Sequence, residues 1–170
     1  MRPMGAQVRA LTETDAEVWW TVRLRALREE PEAFGSSYQE ARETPLERVR
    51  ERFRQPESFV LGAFEGAELV GTVGCFRRQG VKERHKATIW GMYVAPEHRG
   101  HGLGRGLIEQ AIEDARAWPA LTQIHLAVTT VNEPARRLYR SLGFEVYGVE
   151  PCALKLGERC LDEELMLRRL

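Results

Sequence analysis

The sequence Arg99-Gly100-His101-Gly102-Leu103-Gly104 lies between a run of apolar residues and a segment with helical periodicity. The apolar run, residues 89–94, predicts a β-strand, and the apolar residues from Leu103 onward recur at the spacing of one buried helix face. The first amides of a helix have no partners inside it and point along the positive end of its dipole. Glycines lack a Cβ and let an anion approach such amides closely. The order strand, glycine-rich turn, helix therefore predicts a site for phosphate groups.

The positions of the glycines narrow the kind of phosphate site. A Walker loop requires Gly-Lys-Ser/Thr after its spacer, which the sequence lacks. A dinucleotide-binding turn requires glycine at its first, third and sixth positions, and counting from Gly100 or from Gly102 puts another residue in the sixth place. The remaining pattern is Arg-x-x-Gly-x-Gly, formed by Arg99, Gly102 and Gly104. The alternative is a glycine-rich connection that binds nothing.

A second pattern lies between residues 131 and 144. It has the form Asn-x-x-Ala-x-x-x-Tyr-x-x-x-Gly-Phe, with Asn132, Ala135, Tyr139 and Gly143-Phe144 in the defined positions. Asn132 also suits the N-cap of a helix, and Gly143 suits its end. The two patterns, separated by one helix and one strand, resemble those of the GNAT superfamily of N-acetyltransferases, in which the first is the acyl-CoA pyrophosphate loop. The resemblance extends less specifically over nearly the whole chain.

The predicted elements follow the order β-α-α-β-β-β-α-β-α-β-β. Because helices and strands do not alternate regularly, this order predicts a mixed α/β (α+β) fold and not a doubly wound parallel sheet. The resemblance implies a GNAT-like acyl-CoA N-acyltransferase fold in one domain, residues 1–170. Its central, mostly antiparallel sheet would be flanked by helices and splayed at the acyl-CoA site, where the pantetheine arm pairs with a strand edge.

Two local predictions concern the first helix and the last two strands. The first helix buries Ala16, Trp20, Leu24 and Leu27, with Trp19 beside them, while its arginines and glutamates face solvent. The last strands, residues 144–149 and 159–167, are joined by a connection over residues 148–157 that contains Pro151.

The composition argues against several functional classes. Apolar residues make up 43% of the chain, which is ordinary for a globular protein. The formal net charge of +0 gives no overall attraction to nucleic acid or to an anionic membrane. No apolar run approaches the roughly 18 residues of a membrane span. Residues 1–4 lead straight into folded-looking sequence with no apolar signal region, so we expect a cytoplasmic protein.

The cysteines and histidines lack the spacing of metal ligands. Cys75, Cys152 and Cys160 are odd in number, which fits a reducing cytoplasm. His98 and His101 bracket the glycine-rich turn, and no other Cys or His cluster lies near them in sequence. We therefore expect no metal site.

The resemblance implies an acetyl-CoA-dependent N-acetyltransferase that moves an acetyl group to a primary amine by direct attack on the thioester. Tyr139 would be the general acid to the CoA thiolate, although it also lies on an apolar helix stripe and could belong to the core. A backbone amide at Met92 or Val94 would stabilise the carbonyl oxygen. The implied contacts to acetyl-CoA are made by Met92, Tyr93, Val94, Arg99, Gly100, His101, Gly102, Leu103, Gly104, Arg105, Asn132, Ala135 and Tyr139.

The acceptor site and the general base are less defined. In the GNAT resemblance, the first two helices and their link wall the acceptor site, and a plain helix–helix connection is the alternative. The link residues Phe34, Ser36, Ser37 and Tyr38, together with His85, are the substrate candidates. Many GNAT enzymes carry a glutamate on the strand before the loop, but residues 86–94 contain no carboxylate. The candidates for the base are therefore Glu83, His85, Asp162, Glu163 and a water chain.

Two other functions remain open at this point. One is a non-catalytic acyl-CoA-binding sensor or scaffold, motivated by the missing strand carboxylate. The other is a phosphate- or nucleotide-binding domain unrelated to GNAT proteins. The expected partners are acetyl-CoA and a primary amine, without nucleic acid or membrane, in a monomer or homodimer. Free amino acids, polyamines, other small amines including antibiotics, and protein N-termini or lysines are all possible acceptors.

Overall fold

The computed structural model describes residues 5–170, in which seven strands form one sheet. The strands are β1 (Ala6–Ala10), β2 (Ser58–Glu65), β3 (Glu68–Arg77), β4 (Lys86–Val94), β5 (Gln123–Thr129), β6 (Glu145–Leu156) and β7 (Arg159–Arg169). Their order across the sheet is β1-β2-β3-β4-β5-β7-β6. All neighbours run antiparallel except β4 and β5, which are parallel. The predicted mixed, mostly antiparallel fold is confirmed.

Helices cover both faces of this sheet. They are α1 (Ala16–Glu29), α2 (Tyr38–Ala41), α3 (Leu46–Phe53), α4 (Leu103–Ala115) and α5 (Glu133–Ser141). On one face Leu107 and Ile108 of α4 are fully buried, and on the other Trp19 and Leu27 of α1 and Val49 of α3 are buried. Each large buried side chain contributes about 1.5–3 kcal/mol to folding. None of the helices in residues 5–170 is long and apolar enough to cross a membrane.

The sheet opens between its two central strands. β4 and β5 pair at three positions, Lys86 with Gln123, Ala87 with Ile124 and Thr88 with His125, and the pairing then stops. The amide of Ala95 donates to the Val70 carbonyl of β3 at 2.9 Å. Since backbone groups alternate sides along a strand, the backbone of Tyr93 faces β3, and those of Met92 and Val94 face the opening.

A β-bulge bends β4 where the opening begins. The pairing of β4 with β3 shifts between Thr72–Tyr93 and Gly74–Trp90, so that two residues of β4 lie opposite one of β3. Gly91 adopts φ 64°, a left-handed conformation that glycine accepts without strain. Bulges increase the local twist and turn a strand away from its neighbour. The bulge therefore accompanies the divergence of β4 from β5.

The predicted connection over residues 148–157 is wrong. β6 continues to Leu156 and pairs with β7, with a register shift between Glu150 and Leu154. Pro151 lies inside this irregular stretch, where the ladder does not need the N–H that proline lacks. Glycine and proline are typical of turns, but the partners on β7 at either side of the register shift keep this part of β6 extended.

A disulfide bond joins Cys152 to Cys160 across the β6–β7 hairpin, a pairing that the odd number of cysteines did not indicate. Cys75 is the free cysteine, and burial raises the pKa of its thiol to about 12.

A thiol titration checks this pairing. We expect the native protein to react with none of its thiols, because the thiolate is the reactive form and Cys75 is buried and protonated. Unfolding without a reductant should release one reactive thiol per chain, and unfolding with a reductant should release all 3. Three reactive thiols in the unreduced, unfolded protein would contradict the bond.

Candidate active site

The glycine-rich turn forms an open cradle at the start of α4. Gly100 and Gly102 have φ values of 82° and 79°, and a Cβ on either residue would point into open space. The first hydrogen bond of the helix runs from the Gly106 amide to the Gly102 carbonyl at 3.0 Å. The amides of Leu103 and Gly104 precede it and have no acceptor within residues 5–170. These amides and the empty space before them fit a pyrophosphate group.

Two ion pairs hold the turn in place. Arg99 donates through Nε to the Val94 carbonyl at 2.8 Å, and its Nη2 pairs with Glu30 after α1. Glu97 binds Arg25 of α1 through both carboxylate oxygens, at 2.7 and 2.9 Å. The Arg25 guanidinium lowers the pKa of the Glu97 carboxyl to about 2. Arg99 is therefore fixed largely by the protein itself, and Nη1 is the part of its fork left for a phosphate.

Helix α5 is anchored at the other side of the opening. The side chain of Asn132 accepts a hydrogen bond from the Ala135 amide at 3.3 Å, which confirms the predicted N-cap. Arg136 and Arg140 bind the buried carboxylate of Glu164 on β7, at 2.6 and 3.0 Å. Both guanidinium groups lower the pKa of Glu164, with Arg136 as the stronger cause. These contacts fix the helix that carries Tyr139.

Helices α4 and α5 meet beside the opening. Arg105 in the first turn of α4 donates to the Ser141 hydroxyl at 2.6 Å. A Cβ on Gly104 would lie 3.0 Å from Met92 Cε and 3.4 Å from Leu138 Cδ2. A Cβ on Gly104 would therefore be tightly packed, and the end of the Met92 side chain would have to shift slightly to accommodate it.

Tyr139 lies in the core between α5 and the sheet. Its side chain is 6% exposed and packs against the Phe144 ring at a centroid distance of 6.0 Å. Burial alone raises the pKa of the phenol, with no hydrogen bond or charge among the causes. The hydroxyl therefore stays protonated at neutral pH, as a hydrogen-bond donor must.

A cavity of about 520 Å³ lies on the α1 side of the sheet. Its lining includes Arg23, Ser36, Arg52 and Trp90. Phe34 is buried, with the Arg23 guanidinium 4.7 Å from its ring centroid. The cavity is therefore bounded by α1, α3, the α1–α2 link and the part of β4 where the bulge begins.

The four link residues predicted to contact substrate have different positions. Ser36 lines the cavity and Phe34 packs against Arg23. Ser37 caps α2, where its hydroxyl accepts from the Glu40 amide at 3.2 Å. Tyr38 packs against the buried cluster of α1 and α3.

Comparison with known proteins identifies the family. Residues 22–144 match the profile of the Acetyltransferase (GNAT) family. The chain belongs to this family. It is 33% identical over 94 residues to "N-alpha-acetyltransferase RimI" of Mycobacterium tuberculosis, covering 55% of this chain and 56% of that protein. It is 30% identical over 155 residues to "Mycothiol acetyltransferase" of Thermobispora bispora, covering 87% of this chain and 49% of that protein.

The chain thus spans about half the length of these two curated GNAT relatives. Among solved structures, yncA of Salmonella typhimurium, described with its cofactor acetyl-CoA, superimposes with a TM-score of 0.81 and 23% identity. The superposition covers 98% of this chain and 94% of that chain. The predicted GNAT membership and fold are confirmed. Within residues 5–170, no group of three or more His, Cys, Asp or Glu side chains is arranged to hold a metal ion.

The predicted candidates for the GNAT general base lie in two places, the loop before β4 and strand β7. His85 precedes β4 at the end where β4 and β5 still pair, and its carbonyl accepts from the Thr122 amide at 2.9 Å. Glu83, on the same loop, binds Arg78 at 3.2 Å. Neither residue lies where the two strands diverge.

The other two candidates lie on β7. Asp162 is engaged, because its Oδ1 accepts from the Cys152 amide at 2.7 Å. Glu163 has no hydrogen-bond or ion-pair partner in the described part of the chain, and it pairs in register with Thr129 at the end of β5. Burial, and secondarily the charge of Glu150, raises the pKa of its carboxyl. The carboxylate of Glu163 is therefore unpaired among the described residues, and the residue lies beside the end of β5 that does not pair with β4.

Sequence reasoning missed Arg23, which it assigned to the solvated face of α1. The side chain is 6% exposed and lies on the buried face with Trp19 and Leu27. The spacing of Trp19, Arg23 and Leu27 at i, i+4 and i+8 could have indicated a charge on an apolar face.

Proposed function

We propose that this GNAT protein is an acetyl-CoA-dependent N-acetyltransferase that transfers an acetyl group to a primary amine by direct attack on the thioester. The observation that carries the proposal is the opening between β4 and β5, which has the open glycine-rich turn beside it and a cavity on the α1 side of the sheet. The related fold described with acetyl-CoA supports the same ligand.

The residues of the cradle and of β4 would hold the co-substrate. The amides of Gly102, Leu103 and Gly104 would bind the pyrophosphate, and Arg99 Nη1 would add a charged donor. Backbone groups of Met92 and Val94 face the opening and would pair with the amides of the pantetheine arm, as an added strand would. Acetyl-CoA supplies the activated acetyl group, and an amide at Met92 or Val94 would hold its carbonyl oxygen.

Two side chains would move protons. Glu163 would accept the proton that the amine loses as the new N–C bond forms, and its raised pKa suits a base that works near neutral pH. Tyr139 would donate a hydrogen bond, and then a proton, to the sulfur as the C–S bond breaks. Burial raises the pKa of the phenol, so Tyr139 begins each cycle protonated, and solvent would return the proton to the phenolate after CoA leaves.

Two observations favour the second candidate function, a non-catalytic acyl-CoA-binding module. β4 carries no carboxylate, and two nitrogens of Arg99 are already engaged within the protein. CoA release measured with acetyl-CoA and a broad panel of amines separates the two candidates. Turnover above the uncatalysed rate supports the enzyme, whereas tight binding of acetyl-CoA without turnover of any amine supports the module.

We expect Glu163→Gln to lower kcat/KM about tenfold at neutral pH, less than a general base usually contributes, because water can also take the proton. Glu163 must be ionised to act, and its pKa is raised, so the activity of the wild type should fall as the pH drops through that pKa. The variant should lose this ionisation from its pH–rate profile while the ionisation of the amine remains.

A matched variant, Glu150→Gln, removes the negative charge that raises the pKa of Glu163. In the pH–rate profile of this variant, the fall in activity on the acid side should move to lower pH, with little change in the maximal rate. An unchanged acid limb in Glu163→Gln would exclude Glu163 as the base.

A further inference from the structure

Arg23 is a buried cation without a counter-ion. Its Nη1 is buried and has no hydrogen-bond partner in residues 5–170. Among the described residues 5–170, no carboxylate shifts the pKa of the guanidinium, and the charge that does is the like charge of Arg52. Burial and this repulsion together lower the pKa of Arg23 to about 10. The group nevertheless remains a cation at neutral pH.

Such an arrangement is unfavourable for the protein alone. Charged groups are buried at a large cost in free energy unless they are paired and hydrogen-bonded. The rings of Phe34 and Trp90 lie 4.7 and 5.7 Å from the guanidinium carbon and provide weak cation–π contacts. These contacts leave the Nη1 donors unsatisfied. An anion from outside the chain would satisfy both the charge and the donors.

The position of Arg23 specifies where this anion would bind. A Cβ on Gly91 would lie 3.4 Å from Arg23 Nη1, so the guanidinium lies next to the bulge of β4. Arg52, at the exposed rim, also lines the cavity and lies 5.2 Å from the Trp20 ring. No Asp or Glu is among the described residues that line it. The cavity therefore attracts anions and repels cations at the level where the sheet opens.

We infer that the acceptor is a small amine that carries a carboxylate, as a free α-amino acid does, and that Arg23 binds this carboxylate inside the cavity. The inference rests on the proposed function, since it names the substrate class of the same site. Because the Arg23 guanidinium lies next to Gly91, a carboxylate bound to it would hold the amine on the neighbouring carbon near the bulge of β4. Polyamines and other polycationic amines would be excluded by Arg23 and Arg52.

The first test compares amines that differ in the carboxylate alone. CoA release is measured for neutral α-amino acids, their primary carboxamides and the corresponding decarboxylated amines, with rates corrected for the fraction of neutral amine. We expect the amino acids to be preferred about 100-fold or more in kcat/KM. The carboxamides and the decarboxylated amines lack the carboxylate, so they would leave the buried Arg23 cation unpaired. Equal rates for amino acid and carboxamide would overturn the inference while leaving the proposed function intact.

The second test uses Arg23→Gln, with Arg28→Gln as its control. Arg28 lies on the same helix, and its side chain is 59% exposed. We expect Arg23→Gln to raise the KM for the amino acid about tenfold or more and to leave the KM for the carboxamide unchanged. The melting temperature of the variant should not fall. Equal losses for amino acid and carboxamide would assign Arg23 a structural role and overturn the inference.

Binding gives a readout that does not depend on turnover. Calorimetry of the wild type with a neutral α-amino acid, in the presence of CoA, should show saturable binding that Arg23→Gln weakens and Arg28→Gln does not. Arg52→Gln is a second variant, because it removes a cation from the exposed rim of the same cavity and leaves the buried face of α1 unchanged. It should also weaken the binding of the amino acid. Absence of CoA release from every amine, with carboxylate binding retained, would contradict the proposed function and support the anion site. Absence of carboxylate binding in the wild type would overturn the inference.

Discussion

Tyr139→Phe should lower kcat about 100-fold or more and leave the affinity for acetyl-CoA and the melting temperature almost unchanged. Removal of one donor to a group that gains negative charge costs about 100- to 1,000-fold in kcat in other enzymes. The phenol makes no internal hydrogen bond that contributes to its pKa, so phenylalanine keeps its packing against Phe144 and loses no partner. A core role alone would predict the opposite pattern, with an unchanged rate in a slightly more stable protein.

Single-turnover kinetics at saturating acetyl-CoA provides the measurement, because it separates the transfer step from product release. Tyr147→Phe is the matched control, since Tyr147 is 53% exposed and lies on β6, away from α5. It should keep the full rate. A Tyr139→Phe variant within twofold of the wild type would remove Tyr139 from the proposed chemistry and leave it as a core residue.

Gly102→Glu should weaken acetyl-CoA binding at least about 100-fold. At φ 79° any side chain is strained, at a typical cost of about 1–3 kcal/mol, and the new Cβ would extend into the open space at the glycine-rich turn. The carboxylate would also repel the pyrophosphate. A 100-fold loss corresponds to about 2.7 kcal/mol of binding free energy.

Thermal unfolding with and without acetyl-CoA measures this loss. At a ligand concentration of about 100 times the wild-type Kd, the wild type should gain about 2.7 kcal/mol, or roughly 5–11 °C in Tm. The same concentration should raise the Tm of Gly102→Glu by about 1–2 °C. ATP and NAD, which lack the pantetheine arm, should shift neither protein as far.

Gly66→Glu is the control for strain and charge. Gly66 lies in the β2–β3 turn with φ 59°, and a Cβ there also meets open space. This variant should lose stability through backbone strain, as Gly102→Glu does, but keep the full shift with acetyl-CoA. A full shift in Gly102→Glu would show that the glycine-rich turn is not the phosphate site.

The parts of the fold that the sequence predicted are those encoded within a few residues. The cradle at Gly102 and the N-cap at Asn132 depend on local backbone chemistry, so short patterns identified them. The burial of Arg23 depends on Phe34 and Trp90, which come from other elements. The raised pKa of Glu163 depends on burial and on Glu150 of the neighbouring strand. These contacts join residues that are distant in sequence and leave no local pattern of their own, although the helical spacing of Trp19, Arg23 and Leu27 does indicate that Arg23 lies on the apolar face of α1.

The errors have the same origin. Pro151 is a reliable breaker of regular structure by itself, but the pairing of β6 with β7 tolerates it within a register shift. The pairing of Cys152 with Cys160 likewise depends on this irregular stretch, because the regular register places Lys155 opposite Cys160, whereas the shifted segment between Glu150 and Leu154 brings Cys152 to a Cα–Cα distance of 4.8 Å from Cys160. An odd number of cysteines can include one pair, so the count alone does not define the redox environment.

The short pairing of β4 with β5 leaves two strand edges without partners inside the molecule. Unpaired edges are the usual sites at which one chain adds to another and aggregates. Here the bulge at Gly91 interrupts the regular ladder of one edge, which limits such addition. An arm that pairs with Met92 and Val94 would cover that edge as a strand of the same sheet would. On this basis we expect the protein without acetyl-CoA to self-associate more readily than the same protein purified with acetyl-CoA in the buffer.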